Sequence, residues 1–316
     1  MTSIFNRKAI KQAEEDQPDY LDKPTGLWRG AWSRLMRRKG GVIGLGIVFL
    51  MIGMAVFAPI IAPYDPNQDL IDTGVGRREP PCIHLFGCDP EEPQHIMGTD
   101  GNFRDEFSRV VYGARVSLFV GFTTVLFAFT IGSTLGAVSG FWGGATDNII
   151  MRVMDVVLGF PALLLAIAIV AVLGPGLRNT LLAIAIVSIP AYARVMRASV
   201  LSIKQLDFVS ASVALGASKI RILWTRVIPN ALTPLIVIGT LGIATAILDA
   251  AAFGFLGLGA QPPVAEWGAM LAAERNNILS APHLLFFPGI AIMITVLGFN
   301  LLGDGMRDAL DPSLNR

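Results

Sequence analysis

Three places in this chain of 316 residues hold side chains that could do chemistry. Asp249 lies inside an apolar run, Ala231 to Phe255, where an ionisable group marks a transport path, a hydrated position near the outer end or an internal ion pair. Cys82-Ile-His-Leu-Phe-Gly-Cys88, with His95 beyond it, could form a disulfide, keep two free thiols or contribute to a metal site. The spacing fits no standard zinc pattern, so the disulfide is favoured wherever the segment faces an oxidising compartment. The third place is Lys204 to Asn230, KQLDFVSASVALGASKIRILWTRVIPN, a basic interruption between two apolar runs. Its first part sets Phe208, Ser212 and Leu215 on one helical face. Its second sets Ile220, Leu223, Trp224 and Val227 at the spacing of a packed helix, with Gly216 as a hinge between them. That pattern suits a partner's surface better than catalysis.

Enzymatic constellations are missing from the sequence. There is no G-x-x-x-x-G-K-[ST], so this chain holds no phosphate-cradling loop for ATP. There is no G-x-S-x-G, no H-E-x-x-H and no pair of carboxylates within an apolar run. The expectation is a non-enzymatic chain with no cofactor and no resident metal. The net charge of +1 gives no reason to expect nucleic acid.

The elements that position these residues are apolar helices. Hydrophobic residues make up 53% of the chain and charged ones 16%, against about 25% charged in an ordinary soluble domain. Apolar runs cover 41–62, 116–146, 156–173, 180–196, 231–255 and 284–303, charged only at Arg194 and Asp249; each is read as one membrane crossing, with Pro161 kinking the third. Glycines at 132, 136 and 140 repeat every fourth residue in the second run and offer a close-packing face to another helix. Arg152 and Asp155 are expected to pair at i,i+3 beside the third.

Charge placement sets the orientation. Residues 64–112 carry four arginines against ten carboxylates, net −6, and are read as an external loop. From Arg194 to Asn230 six basic residues stand against Asp207 alone, net +5, which reads as cytoplasmic. Residues 1–40 are read as a cytoplasmic tail ending in an interfacial helix. Leu27, Trp28, Ala31, Trp32 and Leu35 share one face of it, and Arg29, Arg34, Arg37, Arg38 and Lys39 are placed for anionic lipid. The first run is read as a retained span, with no signal peptide expected before it. The expected architecture is all-α and integral to the membrane: six spans over 41–316, a cytoplasmic loop at 204–230 and both termini cytoplasmic.

Several stretches resemble one family. DFVSASVALGASKIRILWTRVIPN is similar to the cytoplasmic signature loop of ABC-importer permeases, roughly E-A-A, three residues, G, nine residues, I-x-L-P. Ala211 matches its first alanine, Gly216 its glycine, and Ile228-Pro229 its closing pair. Ser210 replaces the glutamate, with Asp207 near enough to compensate in part; Ser212 replaces the second alanine, and Arg226 the first isoleucine. HIMGTDGNFRDEFSRVVYGARVSL, DNIIMRVMDVVLGFPALLLAI, AILDAAAFGFLGLGAQPPVAEWGAML and FNLLGDGMRDALDPSLNR resemble the second permease subunit of dipeptide/oligopeptide/nickel importers.

The resemblance spans about residues 30–316 and implies a type I importer fold in the bacterial cytoplasmic (inner) membrane. It implies a homologous second permease, two ABC ATPases carrying ATP and Mg, and an external binding protein. Asp207, Ser210, Ala211, Ser212, Leu215, Gly216, Ile228 and Pro229 would then couple to an ATPase, with Asp249 on the translocation pathway. The implied cargo is a dipeptide or oligopeptide. The alternatives are a nickel chelate, haem or glycoside, or a stand-alone ion-coupled carrier that would depend on Asp249.

Overall fold

The computed structural model describes residues 27–310 apart from 87 and 89–92. The expected N-terminal tail up to residue 26 lies outside the described residues, as do Asp89, Glu91, Glu92 and 311–316. Nearly every ordered segment is helical, as an apolar, glycine-punctuated sequence requires in a medium that cannot satisfy backbone groups. The helices are α1 (Leu27–Arg37), α2 (Lys39–Val56), α3 (Ala58–Ile61), α4 (Glu106–Trp142), α5 (Gly144–Leu158), α6 (Ala162–Leu173), α7 (Leu177–Ile203), α8 (Asp207–Ala214), α9 (Lys219–Ile222), α10 (Ile228–Phe255), α11 (Trp267–Glu274) and α12 (His283–Leu310).

Among the described residues, five helices are long and apolar enough to cross a membrane: α2, α4, α7, α12 and the continuous run Lys219–Phe255 that joins α9 to α10. The third expected crossing is not a straight span. It is the pair α5 and α6, bent by 89° at the Gly159-Phe160-Pro161 break. A proline that merely kinked a helix would bend it far less; here Pro161 instead starts a new one as N-cap of α6. Alone, α6 has 12 residues and measures about 18 Å, short of a core about 30 Å thick.

Close packing explains the glycine repeat. A Cβ on Gly132 would lie 2.7 Å from the Ile189 carbonyl oxygen, and one on Gly140 3.0 Å from that of Arg197. Gly136, between them, faces the Ala193 carbonyl more closely still. The partner that the repeat anticipates is therefore α7. On its other side α4 meets α10, where Gly121 admits Ile247. The core here joins Val125, Ile243, Ile247 and Trp267 to Phe299 of α12.

The segment before α4 folds against the end of the bundle. Asp105 caps α4 by accepting from the Ser108 amide (2.7 Å) and hydroxyl (2.6 Å), while its other oxygen meets His95 Nδ1 at 2.9 Å. Asp100 holds Arg104 at 2.7 Å, and Glu274 of α11 holds Arg78 at 2.7 Å. At the same end Glu266 caps α11, accepting from the amides of Gly268 (2.9 Å) and Ala269 (2.8 Å). Burial pushes the Glu266 carboxyl up from its ordinary range, opposed by those two amides and by Ser117.

Helix α1 makes contacts within the chain. Its Leu35 is buried, and Arg34 Nε donates to the Ala309 carbonyl at 2.7 Å, satisfying a group at the end of α12. Arg38 lies 4.0 Å from Asp308. Two of the five cations assigned to lipid thus face the chain's own C-terminal helix, while Trp32 stays exposed.

Candidate functional site

The basic interruption folds as two unequal parts. Helix α8 stands as a separate piece, joined to the rest by the turn through Gly216, whose φ of +78° is left-handed and suits glycine. Ser218 caps α9 by accepting from the Arg221 amide at 3.4 Å. From there the chain runs without a break into α10, through one π turn at Leu223–Val227. The second expected helix is therefore the foot of a span.

The predicted faces change accordingly. Leu223 and Val227 are buried as expected, but Ile220 and Trp224 are exposed and Ile222 is buried in their place. The π turn is the physical reason: its i→i+5 bonds rotate successive residues less than an α-helix does, which shifts the register read from the sequence. On α8 the buried residue is Val209, 4% exposed, packed with Phe141, Met196, Val200 and Ile222. Phe208 and Leu215 face outward, Leu215 with 86% of its surface free. Asp207, Ser210, Ala211, Gly216 and Pro229 are exposed; Ser212 and Ile228 are half-buried. Ser212 spends its hydroxyl on the Phe208 carbonyl at 2.8 Å. Six of the eight residues lie on α8 and its closing turn, while Ile228 and Pro229 open α10 beyond the π turn; among the described residues none of the eight is in an ion pair.

Two contacts that the sequence did not suggest fix this end. Lys204 Nζ donates to the Phe141 carbonyl at 2.7 Å and lies over the Phe141 ring, tying the start of the interruption to the last turn of α4. Arg194 meets Asp155 at 2.7 Å, so Asp155 pairs across to α7 and not along its own helix with Arg152.

Asp249 lines a separate cavity of about 260 Å³ between α4, α7 and α10, with Thr124, Ser188, Tyr192, Gly242 and Thr245. It is half-buried, and among the described residues it has no ion-pair partner. Thr124 Oγ1 is buried there with no hydrogen-bond partner among the described residues. The polar wall was missed, although Gly242, Thr245, Ala246 and Asp249 follow the i, i+3, i+4, i+7 spacing of one helical face. Cys82 and Cys88 are joined by a disulfide, their Cα atoms 5.4 Å apart, and Cys82 pairs its backbone with His95.

A polytopic bundle with an exposed, hinged helix at one end and a polar cavity between its spans defines a membrane permease subunit. Residues 132–316 match the family model for "Binding-protein-dependent transport system inner membrane component", and residues 26–81 match "N-terminal TM domain of oligopeptide transport permease C". The chain belongs to this family of binding-protein-dependent transport permeases.

A protein from Alkalihalophilus pseudofirmus, "Dipeptide transport system permease protein DppC", is 45% identical over 309 residues, covering 97% of each chain. "Di/tripeptide transport system permease protein DppC" of Pseudomonas aeruginosa is 46% identical, covering 90% of this chain and 91% of the relative. "Glutathione transport system permease protein GsiD" of Pectobacterium atrosepticum is 42% identical, covering 91% of both. Among solved structures, inward-facing MetNI methionine ABC transporter chains share the fold. One has a TM-score of 0.54 at 19% identity and covers 64% of this chain and 96% of its own. The chain is thus a transport subunit and not an enzyme, and membership of the family implies ATPase and binding-protein partners.

Proposed function

We propose that this chain forms half of the translocation pathway of an ATP-driven importer for dipeptides and short oligopeptides in the bacterial inner membrane. Its companions are a homologous second permease, two ABC ATPases and an external binding protein. The end of the bundle carrying α8 faces the cytoplasm, as do both termini, and the acidic loop of 64–112 faces outward. ATP stays on the ATPases. The domain division follows: a cytoplasmic tail to residue 40, then the permease proper.

The observation that carries this reading is the exposure of α8. An apolar face with Phe208 and Leu215 turned outward, on a helix whose buried residue is Val209, suits insertion into a groove of another protein. A movement of the ATPases would push α8, and the Gly216 turn would pass it to the rod formed by α9 and α10. Ser210 stands where the family pattern has glutamate, so docking rests on apolar contact with Asp207 as the acidic group. The relatives' names support a peptide cargo, and the half-buried Asp249 suits a peptide's ammonium group. The glutathione relatives favour a second reading, in which the cargo is a γ-linked tripeptide.

The test is reconstitution of the complex co-purified through this chain, with uptake and ATP hydrolysis measured together. Dipeptides should stimulate uptake more than glutathione does. Gly216→Asp should leave assembly intact and lower import per ATP; import at the normal ratio refutes the assignment of α8. Asp249→Asn should weaken uptake of peptides with a free N-terminus more than of N-acetylated ones. Equal uptake of both by the variant removes Asp249 from the pathway.

A further inference from the structure

A second pocket opens at the end of the bundle opposite α8. It has a volume of about 280 Å³ and lies between residues 100–109, the turn after α10 and the outer face of α11. Its charged wall is largely paired. Asp100 accepts from Arg104 at 2.7 Å and faces Arg109 at 3.5 Å. Glu274 accepts from Arg78 (2.7 Å), the Gly101 amide (3.1 Å) and Asn277 (2.9 Å). Arg109 donates to the Pro66 carbonyl at 2.7 Å.

Glu106 is different. It lines the same pocket, is 2% exposed, and its Oε1 has no hydrogen-bond partner among the described residues. A carboxylate oxygen shut away from water without a donor is costly, even with the charge of Arg109 nearby. The wall also includes the small or flexible apolar residues Gly254, Ala260, Ala269, Met270 and Ala273, beside Asn102, Gln261, Pro262, Val264 and Arg275. Its apolar part accepts an unbranched aliphatic stem, and Glu106 in the same wall lacks a donor.

We propose that this pocket is a binding site for one alkylammonium or guanidinium group on an aliphatic stem, with Glu106 as its anion. The ligand chemistry is that of a lysine or arginine side chain, carried by a small molecule or by a protein that docks on this end. The site is distinct from the Asp249 cavity, because Asp249 and Gly254 differ by five residues along α10 and so point to different sides of it. It does not depend on the identity of the cargo.

The test uses the assembled complex bearing Ala273→Cys, an exposed position on the pocket wall. Alkylation of the peptide containing residue 273 is followed by mass spectrometry. n-Butylammonium at about four times its Kd should slow alkylation about fivefold, while n-butanol should not. In the E106Q background the protection should vanish. Absence of protection, equal protection by butanol, or protection that survives E106Q would overturn the site; the butanol comparison stands even if E106Q fails to assemble. Two further arms separate the sources. Protection by a lysine-containing dipeptide alone assigns a small ligand, and protection by the ligand-free binding protein alone assigns a docking side chain. Each supports the site only if E106Q abolishes it.

Discussion

Arg197 grips Asp147 with both ends of its guanidinium: Nε and Nη2 donate to the two carboxylate oxygens, each at 2.6 Å. Ser139 of α4 donates to the same carboxylate. One acidic residue on α5 thus joins three helices at the end where α8 lies. The pair is partly exposed, so a double-mutant cycle of Asp147→Asn and Arg197→Gln should give a coupling energy of about 1 kcal/mol, at the upper end for surface pairs. Arg197→Lys should lose most of it, because an ammonium cannot reproduce the fork. A coupling near zero would mean the pair follows the α5 turn without holding it.

The crossing of α4 over α7 yields a second expectation. Gly136→Ala pushes a methyl group into the Ala193 carbonyl and should cost about 2 kcal/mol of unfolding free energy. Gly46→Ala is the control: it also lies within a long helix, but a Cβ there meets nothing within 4 Å. That substitution should be neutral or slightly stabilising. Equal losses at the two sites would show that the glycines act through helix propensity and not through contact.

Backbone geometry alone sets the third. A Cβ on Gly216 meets nothing within 4 Å, so the cost of replacing it is the left-handed φ, about 1 kcal/mol for alanine. Asparagine tolerates that region better. Import per ATP should therefore fall in the order Gly, Asn, Ala. If Asn and Ala behave alike, the turn's conformation does not matter to coupling.

The disulfide makes the fourth. Alkylation of the unreduced chain should label neither Cys82 nor Cys88, and both should react after reduction. Labelling of either before reduction would contradict the bridge.

Much of the architecture was legible because membrane helices announce themselves through uncharged length. The glycine repeat at 132, 136 and 140 even specified a close approach, although not that α7 would supply it. What the sequence hid depends on register and on distant pairing. The 89° break at Pro161 reads as an ordinary apolar run, since hydropathy carries no direction. Trp224 reads as core until the π turn rotates it out, and Asp155 reads as a local partner of Arg152 until α7 brings Arg194 to it. The polar lining around Asp249 comes from three helices, so no single window of sequence contains it.

The unbroken run from Lys219 to Phe255 has a mechanical consequence. Its 37 residues make a rod about 55 Å long, so a tilt of about 5° about one end carries the other about 5 Å sideways. The foot of that rod adjoins the Gly216 turn, and its far end borders the pocket that holds Glu106. Small rotations at one surface of the protein are thereby geared up into displacements the width of a side chain at the other.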